Sequence, residues 1–527
     1  MAWVSGVLMH YLAVLHLDND TALKRQLRLP ATVVAHKDKL KMYNEMKHTL
    51  FLLIGLVILG SCANEKDGMQ KEQQSGFLDN PFTPIMDMNN WTIGCEVLDR
   101  DFANYHMYKQ YLDSLGCKTG RLQAGWAKTE QTKGVYDFKW LDEIVDDMLS
   151  RKIRPWLQLS YGNPIYKGGG DRSLGGGFPT SKEALQAWDN WVRATVTRYK
   201  DKIDYWEVWN EGNLNTNNDP SVYADLYIRT SEIIRQIQPQ SQISALALSQ
   251  HGIEFADQFF EYLDSVNKIN LVDEVTYHPY EVTPEKSYTG ANELKEIIAK
   301  YSSSIILKQG ENGAPSTSKT SGALSGYNWN EHRQAKWVLR RMLSDLGHDM
   351  PSQVFTIIDF NYPAGEFTTG WNTKGLLKAD RSNGSVEYKK KSFVAVQNLT
   401  SVFDNQIERL DKVDYSIDIS KVKSESQYLL QEDNFFSLYG YKDSESQTSF
   451  VVLWLGGEQA DIDTDTLTVD LKINDLKIKN PVLIDLLSGS YQTISLNNYS
   501  IDKQSVEIKN LPITDWPRLI ADIKLVK

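Results

Sequence analysis

Short apolar segments alternate with longer amphipathic segments between residues 85 and 405. The short segments are rich in β-branched and aromatic residues, as buried strands are, and the long segments repeat apolar residues at helical spacing. We predict strands over residues 91–95, 118–123, 154–160, 204–209, 242–248, 271–277, 304–310 and 354–360. We predict helices over residues 105–115, 140–150, 182–199, 221–237, 254–265, 291–301, 331–346 and 388–403. Eight strands in alternation with eight helices predict an α/β fold, the (β/α)8 or TIM barrel, over residues 85–405.

The pattern changes beyond about residue 405. Short segments of alternating apolar and polar residues follow one another there, and turn-forming Asp, Ser, Asn and Gly residues separate them. These segments lie at residues 415–419, 427–431, 449–455, 466–471, 482–486 and 505–508. They predict that residues 406–527 form a C-terminal antiparallel β-sandwich domain that packs against the barrel.

A basic and then apolar segment lies near the start of the chain. The sequence Met-Lys-His, which begins at Met46, precedes an apolar run over residues 49–59 that is too short to span a membrane as a stable helix. A basic start and a small-residue end are typical of a secretory signal. The run ends in Leu-Gly-Ser-Cys, which resembles a bacterial lipobox with Cys62 as the residue that carries the lipid.

This resemblance implies that translation starts at Met46 and that residues 46–62 are a lipoprotein signal peptide. Residues 1–45 would then be an upstream extension that was wrongly assigned to the gene. Residues 63–84 are mostly polar, and we expect them to form a flexible tether between the lipid and the barrel. The lipid would hold the protein in the cell envelope, at the outer membrane, the cell surface or the periplasmic face. The alternative is a segment that is not cleaved and anchors the chain as a single helix.

Charge, cysteines and histidines exclude several classes of function. The formal net charge of −11 argues against nucleic acid as a binding partner. It also argues against any membrane contact other than the lipid anchor. Cys95 and Cys117 lie near opposite ends of neighbouring predicted strands, so we predict no disulfide between them. The nine histidines show no metal-binding spacing, and we predict neither a metal site nor a cofactor.

Two predicted strands run into a glutamate. The fourth strand leads to Asn210 and Glu211, and the seventh leads to Glu311. The carboxyl ends of the strands face the active site in (β/α)8 barrels. Two carboxylates at one rim suit glycoside hydrolysis, in which one protonates the leaving oxygen while the other attacks the sugar or activates water.

The sequences Trp-Asn-Glu ending at Glu211 and Gly-Glu-Asn-Gly around Glu311, together with residues 121–138, form a recognisable set of motifs. With these motifs, residues 85–405 resemble the clan A retaining glycoside hydrolases, in particular family 39 and its relatives, which carry a C-terminal β-sandwich. The resemblance implies that Glu211 is the general acid and base and that Glu311 is the nucleophile. Retention requires carboxyl groups about 5–5.5 Å apart, whereas an inverting hydrolase needs about 6.5–9.5 Å.

The same resemblance implies roles for side chains close to these glutamates. Asn210 would hydrogen-bond the sugar 2-hydroxyl. Arg121, near the end of the second strand, would hold Glu311 ionised, or it forms a buried ion pair elsewhere in the barrel. Tyr280 and His278 both follow the sixth strand, and one of them would contact the nucleophile.

Two tryptophans and a glycine-rich segment are further candidates for substrate contacts. Trp126 follows the second strand and Trp371 lies beyond the eighth, and each could stack on a sugar ring or pack in the core. Residues 167–177 contain six glycines but lack the Gly-Lys-Ser/Thr ending of a phosphate-binding loop. We interpret them as a mobile loop over the sugar subsites, with a plain surface loop as the alternative.

These features together predict a lipid-anchored retaining β-glycosidase that cleaves oligo- or polysaccharides by double displacement without a cofactor. The alternative is a surface lipoprotein that binds glycans and is catalytically inactive. The presence of both Glu211 and Glu311 favours the enzyme, because an inactive binder would tend to have lost one of the two carboxylates.

Overall fold

Both predicted domains are present in the computed structural model, which describes residues 74–79, 90–419, 435–459, 467–502 and 505–526. The predicted extension 1–45, the signal peptide 46–62 with Cys62 and the predicted strand 427–431 lie outside the described residues. No helix in the described part of the chain is both long enough and apolar enough to cross a membrane.

Eight parallel strands form the barrel sheet, in which the first seven are neighbours in chain order and the eighth pairs with the first. The strands are β1 (Trp91–Gly94), β2 (Thr119–Gln123), β3 (Arg154–Leu159), β4 (Tyr205–Val208), β5 (Gln242–Ser249), β6 (Glu274–His278), β7 (Ile306–Gln309) and β8 (Ser352–Val354). The helices are α1 (Tyr105–Leu112), α2 (Lys139–Ser150), α3 (Lys182–Tyr199), α4 (Pro220–Ile237), α5 (Ile253–Ser265), α6 (Tyr288–Tyr301), α7 (Glu331–Gly347) and α8 (Lys391–Val402). The predicted (β/α)8 alternation is confirmed.

The barrel nearly closes between its last two strands. The Gln309 N–H donates to the carbonyl of Pro351 at 3.3 Å, and the Gln309 side chain accepts from the Gln353 N–H at 2.6 Å. Most strand residues are buried on both sides of the sheet, as in β4, where all four residues are buried. The carboxyl ends of all eight strands therefore meet at one rim.

The eighth strand lies earlier in the chain than the predicted 354–360. It comprises Ser352–Val354, and the apolar residues that follow it leave the barrel wall. Phe355 and Phe360 pack with Val97 in a small separate apolar cluster, which explains why the apolar run continues beyond the strand. Two hairpins come next, β9 (Phe360–Tyr362) with β10 (Gly370–Asn372), and Leu377–Ala379 with Val386–Lys389.

Two antiparallel sheets confirm the predicted β-sandwich. The larger sheet contains seven strands in the spatial order Ser75–Phe77, Ser490–Thr493, Pro481–Asp485, Arg518–Asp522, Ser449–Leu455, Phe436–Asp443 and Ile407–Arg409. The smaller sheet contains four strands in the order Tyr415–Asp418, Leu467–Asn474, Ser505–Ile513 and Tyr499–Ile501.

The seven-stranded sheet lies between the barrel and the smaller sheet. Along its strand Ser449–Leu455, alternate side chains point to opposite faces. Phe450 and Trp454 belong to the barrel core, whereas Val451 and Leu453 belong to the core of the sandwich. Burial on both faces explains why this strand is apolar at six consecutive positions, 450–455.

Part of the predicted flexible tether, residues 63–84, is a strand. Ser75–Phe77 pairs with Ser490–Thr493 at the edge of the seven-stranded sheet, and the Leu78 N–H donates to the carbonyl of Gly489 at 2.8 Å. An exposed sheet edge offers unpaired backbone groups, so it can bind a polar segment whose side chains give no strand signal. The tether prediction is therefore wrong for residues 75–77.

The sandwich contacts the segment that follows β6. Glu285 in this segment accepts hydrogen bonds from Arg340 on α7 at 2.7 Å and from the Trp454 indole of the sandwich at 2.6 Å. The Gln459 side chain donates to the carbonyl of Val282 in the same segment at 3.3 Å. The backbone that leaves β6 is thus held from the sandwich side.

Cys95 and Cys117 are free and buried. Cys95 directly follows β1, and Cys117 precedes β2 by two positions. Since β1 and β2 run parallel, these residues lie at opposite ends of the two strands.

Candidate active site

Glu211 lies just beyond the carboxyl end of β4, where the backbone turns sharply. Trp209 and Glu211 have positive φ angles of 67° and 49°, which residues other than glycine rarely adopt. The Glu211 N–H donates to the carbonyl of Ala247 in β5 at 2.8 Å and holds this turn. The neighbouring strand thus maintains an uncommon backbone conformation that places the Glu211 side chain at the barrel mouth, where 8% of the residue is exposed.

Glu311 follows β7 and depends on the glycine before it. A Cβ atom on Gly310 would lie 2.7 Å from the Cβ of Thr276 and 3.3 Å from Nε2 of His278. Only glycine allows the backbone to pass this close to β6. The glycine that the sequence shows beside Glu311 therefore has a steric purpose.

The two glutamates meet at the rim together with His278. One carboxylate oxygen of Glu211, one of Glu311 and a ring nitrogen of His278 all lie within 4.8 Å of one another. Across the described residues, this is the one set of three such atoms close enough to share a metal ion. The short separation is that of a carboxylate pair in a retaining rather than an inverting arrangement.

Each carboxylate oxygen of Glu311 accepts a hydrogen bond from a different side chain. The Tyr280 hydroxyl donates to Oε1 at 2.9 Å, and Nη1 of Arg121 donates to Oε2 at 3.0 Å. The carboxylate plane is therefore fixed from two directions before any substrate binds.

Arg121 is fully buried at the centre of the site. Besides Glu311, it donates to Glu207 at 2.8 Å, to the side-chain oxygen of Asn210 at 2.9 Å and to Glu96 at 3.1 Å. Of the two predicted roles of Arg121, the alternative of an ion pair elsewhere in the barrel is therefore wrong. The arginine supplies the positive charge around which the carboxylates assemble.

Asn210 has a fixed amide orientation. Its oxygen accepts from Arg121 and from Gln158 at 3.2 Å, while its nitrogen donates to the Tyr161 hydroxyl at 2.9 Å. The residue is 3% exposed and lies immediately before Glu211. The structure therefore brings Asn210 next to the carboxylate pair.

His278 and Tyr280 contact different glutamates. Nδ1 of His278 shares a hydrogen bond of 2.9 Å with Oε1 of Glu211 and lies 3.8 Å from Oε2 of Glu311. Tyr280, rather than His278, hydrogen-bonds Glu311. Burial lowers the pKa of His278 to about 4, so the ring is neutral at the pH where most proteins are stable.

Burial also determines the protonation of Glu211. Loss of hydration raises its pKa to about 7, against the opposing effect of the positive charges on Arg121 and Lys374. A carboxyl group with this pKa keeps its proton over much of the neutral range. Glu211 can therefore act as an acid, in contrast to an ordinary surface glutamate.

Two charged residues of the site escape prediction from the sequence. Glu96 follows β1 by two positions and accepts from Arg121 at 3.1 Å and from Gln353 at 2.7 Å. Burial and the nearby Glu311 raise its pKa to about 8, while Arg121 opposes this shift. A search of every strand end for carboxylates would have found Glu96. Lys374, in the connection after β10, follows no such rule.

Trp126 is not at the rim, contrary to the prediction of a substrate contact. The residue is fully buried and packs between the rings of Tyr166 and Trp191, whose centroids lie 5.7 and 6.0 Å away. Its indole N–H donates to Glu130 at 2.6 Å. Gly125, with a φ of 60°, turns the backbone directly into a short helix, and this turn carries the ring into the core.

Trp371 is half-buried in the hairpin of β9 and β10. It lies on β10 opposite Asn361, and side chains at alternate positions of a strand point to opposite faces. Tyr362 packs in the cluster with Phe360 on one face, so Trp371 points to the other, where the Arg381 guanidinium lies 5.4 Å from its ring centre.

The glycine-rich segment 167–177 borders a cavity next to the site. Its Arg172 lines a cavity of about 290 Å³ together with Arg100 and Tyr161. The Tyr161 hydroxyl also accepts the hydrogen bond from Asn210. This position agrees with a loop beside the sugar subsites rather than one on a remote surface.

The part of the sequence that contains most of this site matches the model of a known protein family. Residues 104–311 match the model of glycosyl hydrolases family 39. The chain contains a family 39 domain. The match to the family 39 domain begins just before α1 and ends at Glu311, so it includes the residues of the cluster from Arg121 to Tyr280.

Two curated relatives match part of this chain. The chain is 24% identical to the 6-phospho-beta-glucosidase of Clostridium longisporum over 221 residues, which are 38% of this chain and 43% of that protein. It is 25% identical to the beta-xylosidase of Geobacillus stearothermophilus over 162 residues, 28% of this chain and 32% of that protein. The chain thus spans less than half the length of these curated relatives.

Solved structures extend the likeness to the whole fold. The protein is similar to a family 39 glycoside hydrolase from the gut symbiont Bacteroides cellulosilyticus WH2, with a TM-score of 0.58, 18% identity and coverage of 84% of this chain and 82% of that one. A family 39 enzyme from Xanthomonas axonopodis pv. citri gives a TM-score of 0.53 at 15% identity and covers 85% and 95%. The family 39 domain and the sandwich therefore occur together in known folds.

Proposed function

We propose that this protein is a retaining β-glycosidase that hydrolyses O-glycosidic bonds of oligo- or polysaccharides. The observation that carries the proposal is the approach of carboxylate oxygens of Glu211 and Glu311 to within 4.8 Å in a family 39 domain. The two glutamates have different surroundings, because Glu311 accepts from Arg121 whereas Glu211 contacts the neutral ring of His278. An acid and a nucleophile need such a difference.

Glu311 acts as the nucleophile in this proposal. Arg121 and Tyr280 orient its carboxylate, so one oxygen can attack the anomeric carbon while the bond to the leaving oxygen breaks. The product of this step is a glycosyl ester of Glu311. Asn210, which Arg121 and Tyr161 hold, would hydrogen-bond the sugar 2-hydroxyl.

Glu211 acts first as the acid and then as the base. With a pKa of about 7 it is available to protonate the leaving oxygen in the first step. As a carboxylate it then accepts a proton from the water that cleaves the glycosyl ester. His278 can donate a hydrogen bond from Nδ1 to the Glu211 carboxylate that exists between the two steps.

A panel of substrates tests the proposal. The protein from residue 63 onward would be assayed with aryl β-glucosides, β-xylosides, β-mannosides, β-galactosides and β-glucuronides, and with plant and algal polysaccharides. The anomer released at early times would be identified by proton NMR. We expect turnover of at least one glycoside, with the β-anomer as the first product, because two displacements retain configuration.

Two other outcomes would contradict this function. Release of the α-anomer first would indicate an inverting hydrolase. No turnover, together with retention of the protein on one immobilised glycan, would instead support the catalytically inactive glycan-binding lipoprotein.

We also propose that Cys62 carries a lipid and holds the protein in the cell envelope. The short apolar run before Cys62, its basic start and the polar residues after it support this proposal. In a Gram-negative host fed an alkyne-tagged fatty acid, we expect the full chain to become labelled and Cys62→Ser to remain unlabelled. Cys95→Ala is the matched control, because this cysteine is buried in the barrel and should leave labelling intact. Equal labelling of Cys62→Ser and the natural chain would refute the anchor.

A further inference from the structure

Lys374 is held rigidly next to the active site. It follows β10 by two positions and is 2% exposed. Its N–H donates to the side-chain oxygen of Asn372 at 3.1 Å, and its carbonyl accepts from the Gln334 side chain at 3.2 Å. The backbone is therefore held on both sides of the Cα atom.

The ammonium group of Lys374 borders the catalytic carboxylates. Nζ lies 5.5 Å from the ring centre of Tyr280, whose hydroxyl donates to Glu311. Glu311 and Glu211 are the two charged groups that favour its protonated form. The cation thus belongs to the same pocket as the carboxylate pair.

Lys374 differs from the other buried lysines of the barrel. Lys308 donates to the Tyr205 hydroxyl at 2.9 Å, Lys336 to Asp515 at 2.7 Å, and Lys390 to Asp359 at 2.6 Å. Lys374 has no hydrogen-bond partner for its ammonium group among the described residues. An anionic group of a ligand can therefore pair with this ammonium group without displacing a protein acceptor.

A second donor lies beside this ammonium group. A Cβ atom built on Gly322 would be 3.6 Å from Nζ of Lys374 and 3.8 Å from Nδ2 of Asn372. Both nitrogens therefore lie within 4 Å of one point beside Gly322, and the Asn372 side chain also hydrogen-bonds Tyr362. A cation and an amide N–H that converge in this way suit a group with several negatively charged oxygens.

We propose that Lys374 and Asn372 bind an anionic group on the sugar that occupies the site, namely the carboxylate of a uronic acid or a sulfate ester. This inference rests on the proposed glycosidase function and narrows its substrate class to acidic glycans. Lys374 is then the residue that selects a charged sugar over its neutral counterpart, through charge-assisted hydrogen bonds to the anionic oxygens.

The test compares charged and neutral glycosides that are otherwise alike. The ratio of kcat/KM for aryl β-glucuronide to aryl β-glucoside would be measured, and likewise the ratio for a 6-sulfated aryl β-galactoside to the unsulfated one. We expect one ratio to favour the charged sugar, and Lys374→Met to lower that ratio by about 20- to 100-fold. The ratio that responds distinguishes carboxylate from sulfate.

The matched control is Lys319→Met, which removes an exposed lysine of the neighbouring loop and should leave both ratios unchanged. Equal losses on the charged and the neutral sugar in Lys374→Met would overturn the proposal, because they would indicate that the lysine only balances the charge of the glutamates. A preference of the natural protein for neutral sugars would overturn it too.

Failure of the glycosidase function would look different, since no glycoside would be turned over. Calorimetric titration of glucuronate and of galactose 6-sulfate into the natural protein and Lys374→Met would then measure the affinity for anionic sugars without any need for catalysis. Binding that the substitution weakens by the same 20- to 100-fold would support the site. Absent or equal binding would refute it.

Discussion

Replacement of Glu311 with glutamine should lower kcat/KM for the best aryl glycoside by roughly 10⁵-fold, on the scale seen when an enzyme loses its nucleophile. Glutamine has almost the same shape and can still accept hydrogen bonds from Tyr280 and Arg121, but its amide oxygen is a poor nucleophile. Initial rates over a range of substrate concentrations would measure the loss. Glu254→Gln, at an exposed position on α5, is the matched control and should keep full activity.

The product formed with azide identifies which glutamate is the nucleophile. In Glu311→Ala the small anion can enter the space of the missing carboxylate and attack the sugar directly, which gives an α-glycosyl azide. In Glu211→Ala the glycosyl ester still forms, and azide then releases it as a β-glycosyl azide. The opposite pairing of variant and product would show that the two roles are exchanged.

Replacement of Glu211 with glutamine should lower kcat/KM by about 10²- to 10⁴-fold for substrates with a poor leaving group. The loss should be much smaller for a dinitrophenyl glycoside, whose leaving group needs no proton. Because Glu211 must be protonated in the first step and its pKa is about 7, activity of the natural protein should fall as the pH rises above 7. Measurement of kcat/KM from pH 5 to pH 9 should show this decline in the natural protein and not in Glu211→Gln.

Two other groups of the site titrate near the same pH and supply the controls. Burial lowers the pKa of Lys374 to about 7 and raises that of Glu96 to about 8. On a neutral glycoside, Lys374→Met and Glu96→Gln should both retain the alkaline decline, whatever their overall rate. If the decline disappeared in one of these variants and persisted in Glu211→Gln, the titrating group would be Lys374 or Glu96 and not Glu211.

Much of the barrel could be predicted because its signals are local. A strand buried on both sides has a continuous run of apolar residues, and a helix with one buried face has apolar residues at helical spacing. Each element can therefore be recognised from about ten consecutive residues. Asn210, Glu211 and Glu311 lie two or three positions beyond such strands, and the parallel topology then brings the strand ends to one rim. The same parallel arrangement of strands explains why Arg121 contacts residues that follow several different strands.

The errors have a common physical cause, which is that they depend on contacts distant in sequence. Trp126 is of a residue type that often stacks on sugars, but the turn at Gly125 directs its ring into the core. Ser75–Phe77 becomes a strand only because another strand offers it an edge. Lys374 lies in an irregular connection, where no periodicity indicates which way a side chain points.

The contact between Glu285 and the sandwich constrains how the pocket can change during evolution. The segment after β6 carries Tyr280, and Trp454 and Gln459 of the sandwich hold it in place. New substrate preferences that require this segment to move would therefore need coordinated changes in two domains. Variation confined to the glycine-rich segment 167–177 needs no such coordination, so sequence divergence among functionally distinct relatives should concentrate there.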